Sequence, residues 1–245
     1  MNKIAIFGAT SAIAQGAARC FAAEEAEFFL VARHAEKLEA AAADLRVRGA
    51  SRVVTRLSDL NAFDQHLALV QEADSALGGI QVAIIAHGTL SDQARCEGDA
   101  TLARQELDTN FVGPVSLLTH LANLLESRPG SVIAVITSVA GDRGRKKNYV
   151  YGAAKGGLGI FLQGLRNRLA DKHVSVITAK PGFVSTPMTA HLRQGPLYAS
   201  PSRVGRGIHD AICARKNIVY LPWFWRPIMF IIRAIPERFF KRMNL

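Results

Sequence analysis

The chain has 245 residues, 49% of them hydrophobic, which suits one large α/β domain or two small ones with a sizeable core. Its three cysteines, Cys20, Cys96 and Cys213, are odd in number and far apart, with neither disulfide-framework nor metal-ligand spacing, so a reducing compartment is expected and no metal. The formal charge is +10, but residues 215–245 carry seven basic residues and one acid, so +6 of it sits in the last 31 residues; with no recognisable binding fold or basic–aromatic groove, nucleic acid is not an expected partner.

The opening "MNKIAIFGAT" has too short an apolar run for a signal peptide and leads into a glycine turn, so a cytoplasmic protein is expected. "KIAIF" at 3–7 reads as a first strand. "FFLVA" at 28–32, "VVTRL" at 53–57, "VAIIA" at 82–86, "SVIAVI" at 131–136 and "VSVITA" at 174–179 follow. All are short and rich in apolar residues without strict alternation, as strands buried on both faces are. Helical periods fall between them, for example at 35–46 and 117–127. This alternation predicts right-handed crossovers and a parallel, doubly wound α/β sheet of Rossmann type with helices on both faces. Residues 1–200 would form the dinucleotide-binding and catalytic part, and 201–245 a basic, apolar C-terminal segment of the same domain.

In such a sheet the first strand–helix turn is the usual phosphate site, because a helix N-terminus offers free N–H groups. Here it reads "FGATSAIAQGAAR", with Gly8, Thr10, Ser11 and Ile13 as candidates. At the end of the second strand stands Arg33, where an acid would select NAD. A guanidinium there would attract the 2′-phosphate of NADP(H), so NADP(H) is the preferred cofactor, with NAD(H) as the other occupant.

"YVYGAAKGGLGIF", 149–161, places Tyr151 and Lys155 one helical turn apart on one face. A neighbouring ammonium favours a phenolate, so this pair is a candidate general acid/base in which Lys155 lowers the tyrosine pKa.

Together these residues resemble the short-chain dehydrogenase/reductase family over residues 3 to 195. Its pattern of Tyr-x-x-x-Lys with an upstream Ser and a further upstream Asn is matched by Tyr151, Lys155, Ser138 in "ITSVAG" and Asn110 in "LDTNFVGP". The resemblance implies catalytic roles for these four. It also implies an adenine contact at Asp59 and Leu60, and a cofactor wall at Ala86, His87 and Gly88. Pro181, Gly182, Val184 and Thr186 would flank the nicotinamide, with Tyr151 and Lys155 also touching the cofactor. It implies a homo-oligomer through helices near 104–127 and 149–170. Ala12 and Ala14 depart from the family's second and third loop glycines, and Ala86-His87-Gly88 from its Asn-Ala-Gly.

Within the family, "GDRGRKKNYVYGAAKGGL", "PMTAHLRQGPL" and "IPERFFKRM" resemble reductases of decaprenylphosphoryl-2-keto-erythro-pentose. Those work with a flavin-dependent oxidase to epimerise a lipid-linked ribose to arabinose. This implies a keto sugar on a polyprenyl phosphate as substrate, such an oxidase as partner, and a phosphate near the basic loop 141–147. Reduction of another bulky lipid or acyl ketone is the alternative within the enzymes. A low-turnover NADP(H) sensor is the alternative from another class, although a sensor needs no proton donor.

The tail 217–245 is interrupted by Pro222, Arg226, Pro227, Arg233 and Pro236, so it cannot span a bilayer. Trp223, Phe224 and Trp225 with flanking Arg and Lys suit peripheral contact with the inner face of the cell membrane, against a core-packed strand and tail as the alternative.

Overall fold

The computed structural model describes every residue except Met1, Ser91, His191, Leu192, Asn244 and Leu245. Of the stretches singled out above, the "HL" of "PMTAHLRQGPL" and the last two residues of the tail lie outside the described residues.

The first half runs β1 (Lys3–Phe7), α1 (Ala12–Ala22), β2 (Glu27–Ala32), α2 (Ala35–Val47), β3 (Arg52–Leu57), α3 (His66–Leu77) and β4 (Val82–Ile85). Next come α4 (Gln93–Gly98), α5 (Ala100–Leu107) and α6 (Gly113–Leu125), then β5 (Val132–Ile136), the long α7 (Tyr149–Leu169) and β6 (Ser175–Pro181). The chain closes with α8 (Pro201–Cys213), β7 (Ile218–Leu221), α9 (Trp225–Ala234) and α10 (Glu237–Phe240). The described strands form one sheet in the order β3-β2-β1-β4-β5-β6-β7, every neighbouring pair parallel.

Alternation within each buried strand divides the core. Ile4, Ile6, Phe28 and Leu30 point to the layer of α1, α2 and α8. Ala5, Phe7, Phe29 and Val31 point to the layer of α3, α6 and α7. Because both faces are covered, the strands need no polar side, which is why they read as apolar runs.

The six expected strands are all present, and β7 is a seventh that lies within the stretch read as a membrane-facing tail. It pairs with β6 from Thr178↔Ile218 to Pro181↔Leu221. Its four residues, bounded by Pro222, carry too little pattern to read alone; the open edge of β6 supplies the hydrogen bonds that make them a strand. Helix α8 belongs to the same layer as α1, and the two cross at glycines. A β-carbon on Gly205 would lie 2.3 Å from the Gly16 carbonyl carbon, and one on Gly16 would lie 2.7 Å from the Pro201 oxygen.

Helix α9 is apolar on two sides. Trp225 and Met229 are buried against Val139, with Ile228 and Ile232 beside them. The opposite stripe, at helical spacing from the preceding turn, holds Trp223, Phe230 and Ile231 at 73%, 75% and 63% exposure. Exposed Arg226 and Arg233 lie along one seam. Among the described residues no helix is long and apolar enough to cross a membrane.

The glycine crossing sets a stability test. Gly205→Ala puts a methyl group into backbone, which cannot yield by a rotamer change, and should destabilise the protein by about 1–3 kcal/mol. Urea unfolding monitored by circular dichroism measures the shift in midpoint; an unchanged midpoint would show that α1 and α8 can separate freely.

Candidate active site

The parallel register brings the carboxyl ends of the central strands to one edge: Phe7 lies beside Val31 and Ile85, and Ile85 beside Val135. The loops leaving these ends surround a cleft of about 720 Å³. Eleven of the candidate cofactor residues line it: Gly8, Thr10, Ser11, Ile13, Arg33, Asp59, Leu60, Ala86, His87, Gly88 and Thr186.

Gly8 has φ +95°, and a β-carbon on it would meet the His87 nitrogen at 2.4 Å, so only glycine lets the first turn lean on the end of β4. Ser11 caps α1 by accepting from the Ala14 N–H. The helix thus starts at the cleft with its dipole aimed inward. Both ring nitrogens of His87 are buried without a protein partner, and burial holds its imidazole down at about 3. A neutral ring with unmet hydrogen-bond capacity at the cleft wall, beside a glycine cradle and the N-terminus of α1, fits a dinucleotide. Ala12 also lines this cleft, so the departure there leaves the site formed. Sequence reasoning missed His34 and Lys37, which join Arg33 in the lining; the signal was their spacing at the start of α2.

The proposed catalytic groups come from three elements. Asn110 sits in a single π-turn, Asp108–Val112, between α5 and α6, which turns its side chain inward until it is fully buried. Ser138 follows β5 in extended conformation, its Oγ accepts from the Ala140 N–H, and its hydroxyl acts on the Tyr151 phenol. Tyr151 and Lys155 lie on α7, the Lys155 nitrogen 5.7 Å from the phenol ring centre. A β-carbon on Gly88 would be 2.6 Å from Asn110 Oδ1 and 3.2 Å from Lys155 Nζ, so these two groups meet over Gly88.

The electrostatics differ from the expectation that Lys155 depresses the tyrosine. Burial pushes the Tyr151 phenol up to about 12; the Ser138 hydrogen bond opposes this and Glu106 adds to it. Burial also pushes Lys155 down to about 8, against the pull of Glu106. Desolvation outweighs attraction between the two, and the phenol is held protonated, ready to donate rather than to accept.

Tyr151, Lys155, Pro181, Gly182 and Val184 are not part of the cleft lining. Val184 is buried and bridges Ala199, so it serves the core. Gly182 is covered by Trp225: a β-carbon there would lie 1.9 Å from the indole. Trp225 is held in turn by Phe183, edge to face at 5.2 Å between ring centres. Helix α9 therefore covers Gly182 after β6 and Val139, the residue that follows Ser138.

The basic loop 141–147 is partly committed. Arg143 donates to the carbonyls of Ile232 and Ile235, both at 2.6 Å, pairs with Glu237 at 2.9 Å, and stacks on Phe240 at 3.6 Å. It closes the carboxyl end of α9 and is not open to a substrate phosphate. Asp142 pairs with Lys180 and accepts from Tyr220 at 2.7 Å. Arg145 lies against Met229, its Nε buried without a partner, as is Oδ1 of Asn148.

The family model described as short chain dehydrogenase matches residues 2–197. An uncharacterized oxidoreductase of Mycobacterium tuberculosis is 40% identical over 240 residues, covering 98% of this chain and 96% of the relative. Another, from Streptomyces coelicolor, is 30% identical over 245 residues, covering 99% and 96%. An actinorhodin polyketide ketoreductase with NADPH superposes with a TM-score of 0.80 at 24% identity, over 90% of this chain and 95% of that one. The 3-oxoacyl-[acyl-carrier protein] reductase of Brucella melitensis in complex with NAD gives 0.78 at 24% identity, over 91% and 96%. The last two are likenesses of fold.

The seat of Trp225 on Gly182 can be probed directly. In a Trp223→Phe background Trp225 is the remaining indole. Adding Gly182→Ala should expel it, red-shift its fluorescence and cost about 1–3 kcal/mol. An unshifted emission maximum would mean that the roof does not rest on Gly182.

Proposed function

The chain belongs to the short-chain dehydrogenase family, and from that premise we propose that it is an NADP(H)-dependent reductase of a keto sugar carried on a polyprenyl phosphate. The observation that carries the reductase reading is geometric: Lys155 lies 5.7 Å from the Tyr151 ring on one face of α7 and meets Asn110 over Gly88, a residue of the cleft wall. When bound, the cofactor supplies hydride. Ser138 orients the substrate carbonyl oxygen. Tyr151 gives its proton to that oxygen as negative charge develops, help worth about 10²–10⁴-fold. Lys155, still cationic below about pH 8, stabilises the phenolate that this proton transfer leaves.

Arg33, His34 and Lys37 support the choice of NADP(H), since all three line the cleft between the end of β2 and the start of α2 and a guanidinium there would attract a 2′-phosphate. Arg33→Asp should reverse the order of NADPH and NADH affinity measured by fluorescence titration; equal affinities in the parent protein would defeat this choice.

The lipid-linked substrate is supported by α9. Its inner face covers Gly182 and Val139 beside the site, and its outer face presents Trp223, Phe230 and Ile231 with Arg226 and Arg233 along one flank. Each buried apolar side chain is worth about 1.5–3 kcal/mol, and each cation at an anionic surface about 1 kcal/mol. Peripheral docking through this face would lay the roofed site against the bilayer that holds a long-tailed lipid. The Arg145 guanidinium, with Nε unpartnered at the inner face, suits a phosphate entering beneath α9.

The test of activity is NADPH oxidation with the keto-sugar lipid formed in situ by a flavin-dependent oxidase. Turnover dependent on the oxidase is expected; its absence, in a preparation that reduces a soluble β-keto ester, would move the substrate to another bulky ketone. For the docking face, the protein should sediment with anionic liposomes at low salt and be released as salt rises. Recovery in the supernatant at low salt would reassign this stripe to a protein contact.

A further inference from the structure

Glu106 lies one helical turn before Asn110, outside the four-residue catalytic motif, and is 4% exposed. Burying a carboxylate is costly unless hydrogen bonds and charge compensate it. Here Oε2 accepts from Thr89 Oγ1 at 2.7 Å and Oε1 accepts from Asn110 Nδ2 at 2.9 Å. The Asn110 amide also donates to the Glu106 and Thr89 carbonyls, both at 3.2 Å, and its Oδ1 accepts from the Thr89 N–H at 3.3 Å. The end of α5, the π-turn, the loop after β4 and the Lys155 head on α7 therefore meet at one buried point.

We propose that Glu106 is a positioning residue for the reduction: it locks the Asn110 amide beside Lys155 and supplies the negative charge that keeps the buried ammonium protonated. The proposal rests on the reductase reading above. Among the described residues, four groups face Lys155. Tyr151 faces it from its own helix, with a phenol that stays neutral up to about 12. Asn110 faces it from the π-turn and carries no charge. His87 faces it from the loop after β4 and is neutral above about 3. Glu106 on α5 is the carboxylate that acts on it, and it pulls the Lys155 value upward against burial. Removing that charge must lower the Lys155 value, because a nearby anion favours the ammonium.

The experiment reads the pH profile of kcat/KM for NADPH-dependent reduction of a soluble probe ketone, ethyl acetoacetate. This quantity reports groups of the free enzyme. The parent profile should fall above about pH 8, as Lys155 loses its proton. Glu106→Gln keeps an acceptor for Asn110 and a hydrogen-bonding partner for Thr89 but drops the charge. Its alkaline limb should move toward lower pH by about one unit, the size of a single nearby charge. Glu106→Asp, which retains the charge one methylene further back, should move it in the same direction by less.

A limb that stays in place in Glu106→Gln while kcat falls uniformly would overturn the proposal and leave Glu106 a structural residue. If Glu106→Gln does not fold, an unmoved limb in Glu106→Asp would overturn it equally. Tyr151→Phe separates this from the underlying reading: retained activity in that variant sinks the reductase assignment itself. Loss of at least about 10²-fold there, with an unmoved limb in the Glu106 variants, sinks only the role of Glu106.

Discussion

The site depends on one steric constraint, the all-parallel register of the sheet. Parallel strands require crossovers that return each strand to the same starting edge, so every strand delivers its carboxyl end to the opposite edge together. Gly8, Arg33, Asp59, Ala86 and Ser138 are far apart in sequence, yet each follows the end of a strand, and that shared edge alone collects them. Gly8 makes the collection tight. Its left-handed backbone brings the first turn against the His87 amide, where no β-carbon fits.

Within that edge, desolvation governs the chemistry more than the attraction between neighbours. Lys155 is 5% exposed. A buried ammonium loses affinity for its proton and a buried phenol gains it, so the two values move toward each other from opposite sides. The result is a donor that stays protonated beside a cation near its titration point, an arrangement suited to giving a proton to a forming alkoxide. The π-turn that buries Asn110 belongs to the same economy of space: a regular helix through 108–112 would aim that side chain elsewhere.

The C-terminal residues serve the fold and the site at once. Helix α8 completes one layer through the Gly16–Gly205 crossing, β7 extends the sheet, and α9 lays Trp225 and Met229 over the catalytic edge. Arg143 secures this roof by taking the last carbonyls of α9, which a helix end otherwise leaves unpaired. One basic residue of the loop is thereby spent on structure, while Arg145 remains beneath the roof. The exposed stripe of α9 is the complement of its buried face, and both arise from a ten-residue helix with apolar residues on two sides.

Much of this was written in the sequence by itself. Short apolar runs separated by helical periods determine a parallel α/β sheet, because only strands buried on both faces can omit polar positions. The spacing of Tyr151 and Lys155 places them on one helix face, since helical periodicity is local. Other features were decided only by tertiary structure, because they come from contacts between segments distant in the chain. The strand character of 218–221 arises at the edge of β6. The engagement of Arg143 depends on carbonyls about ninety residues away. His34 and Lys37 join the cleft through the docking of α2, while Trp225 packs on Gly182 and Val184 bridges Ala199. The direction of the tyrosine shift was likewise invisible in the spacing: proximity of an ammonium is a pairwise fact, but the dielectric around both groups is set by the whole fold packed over them.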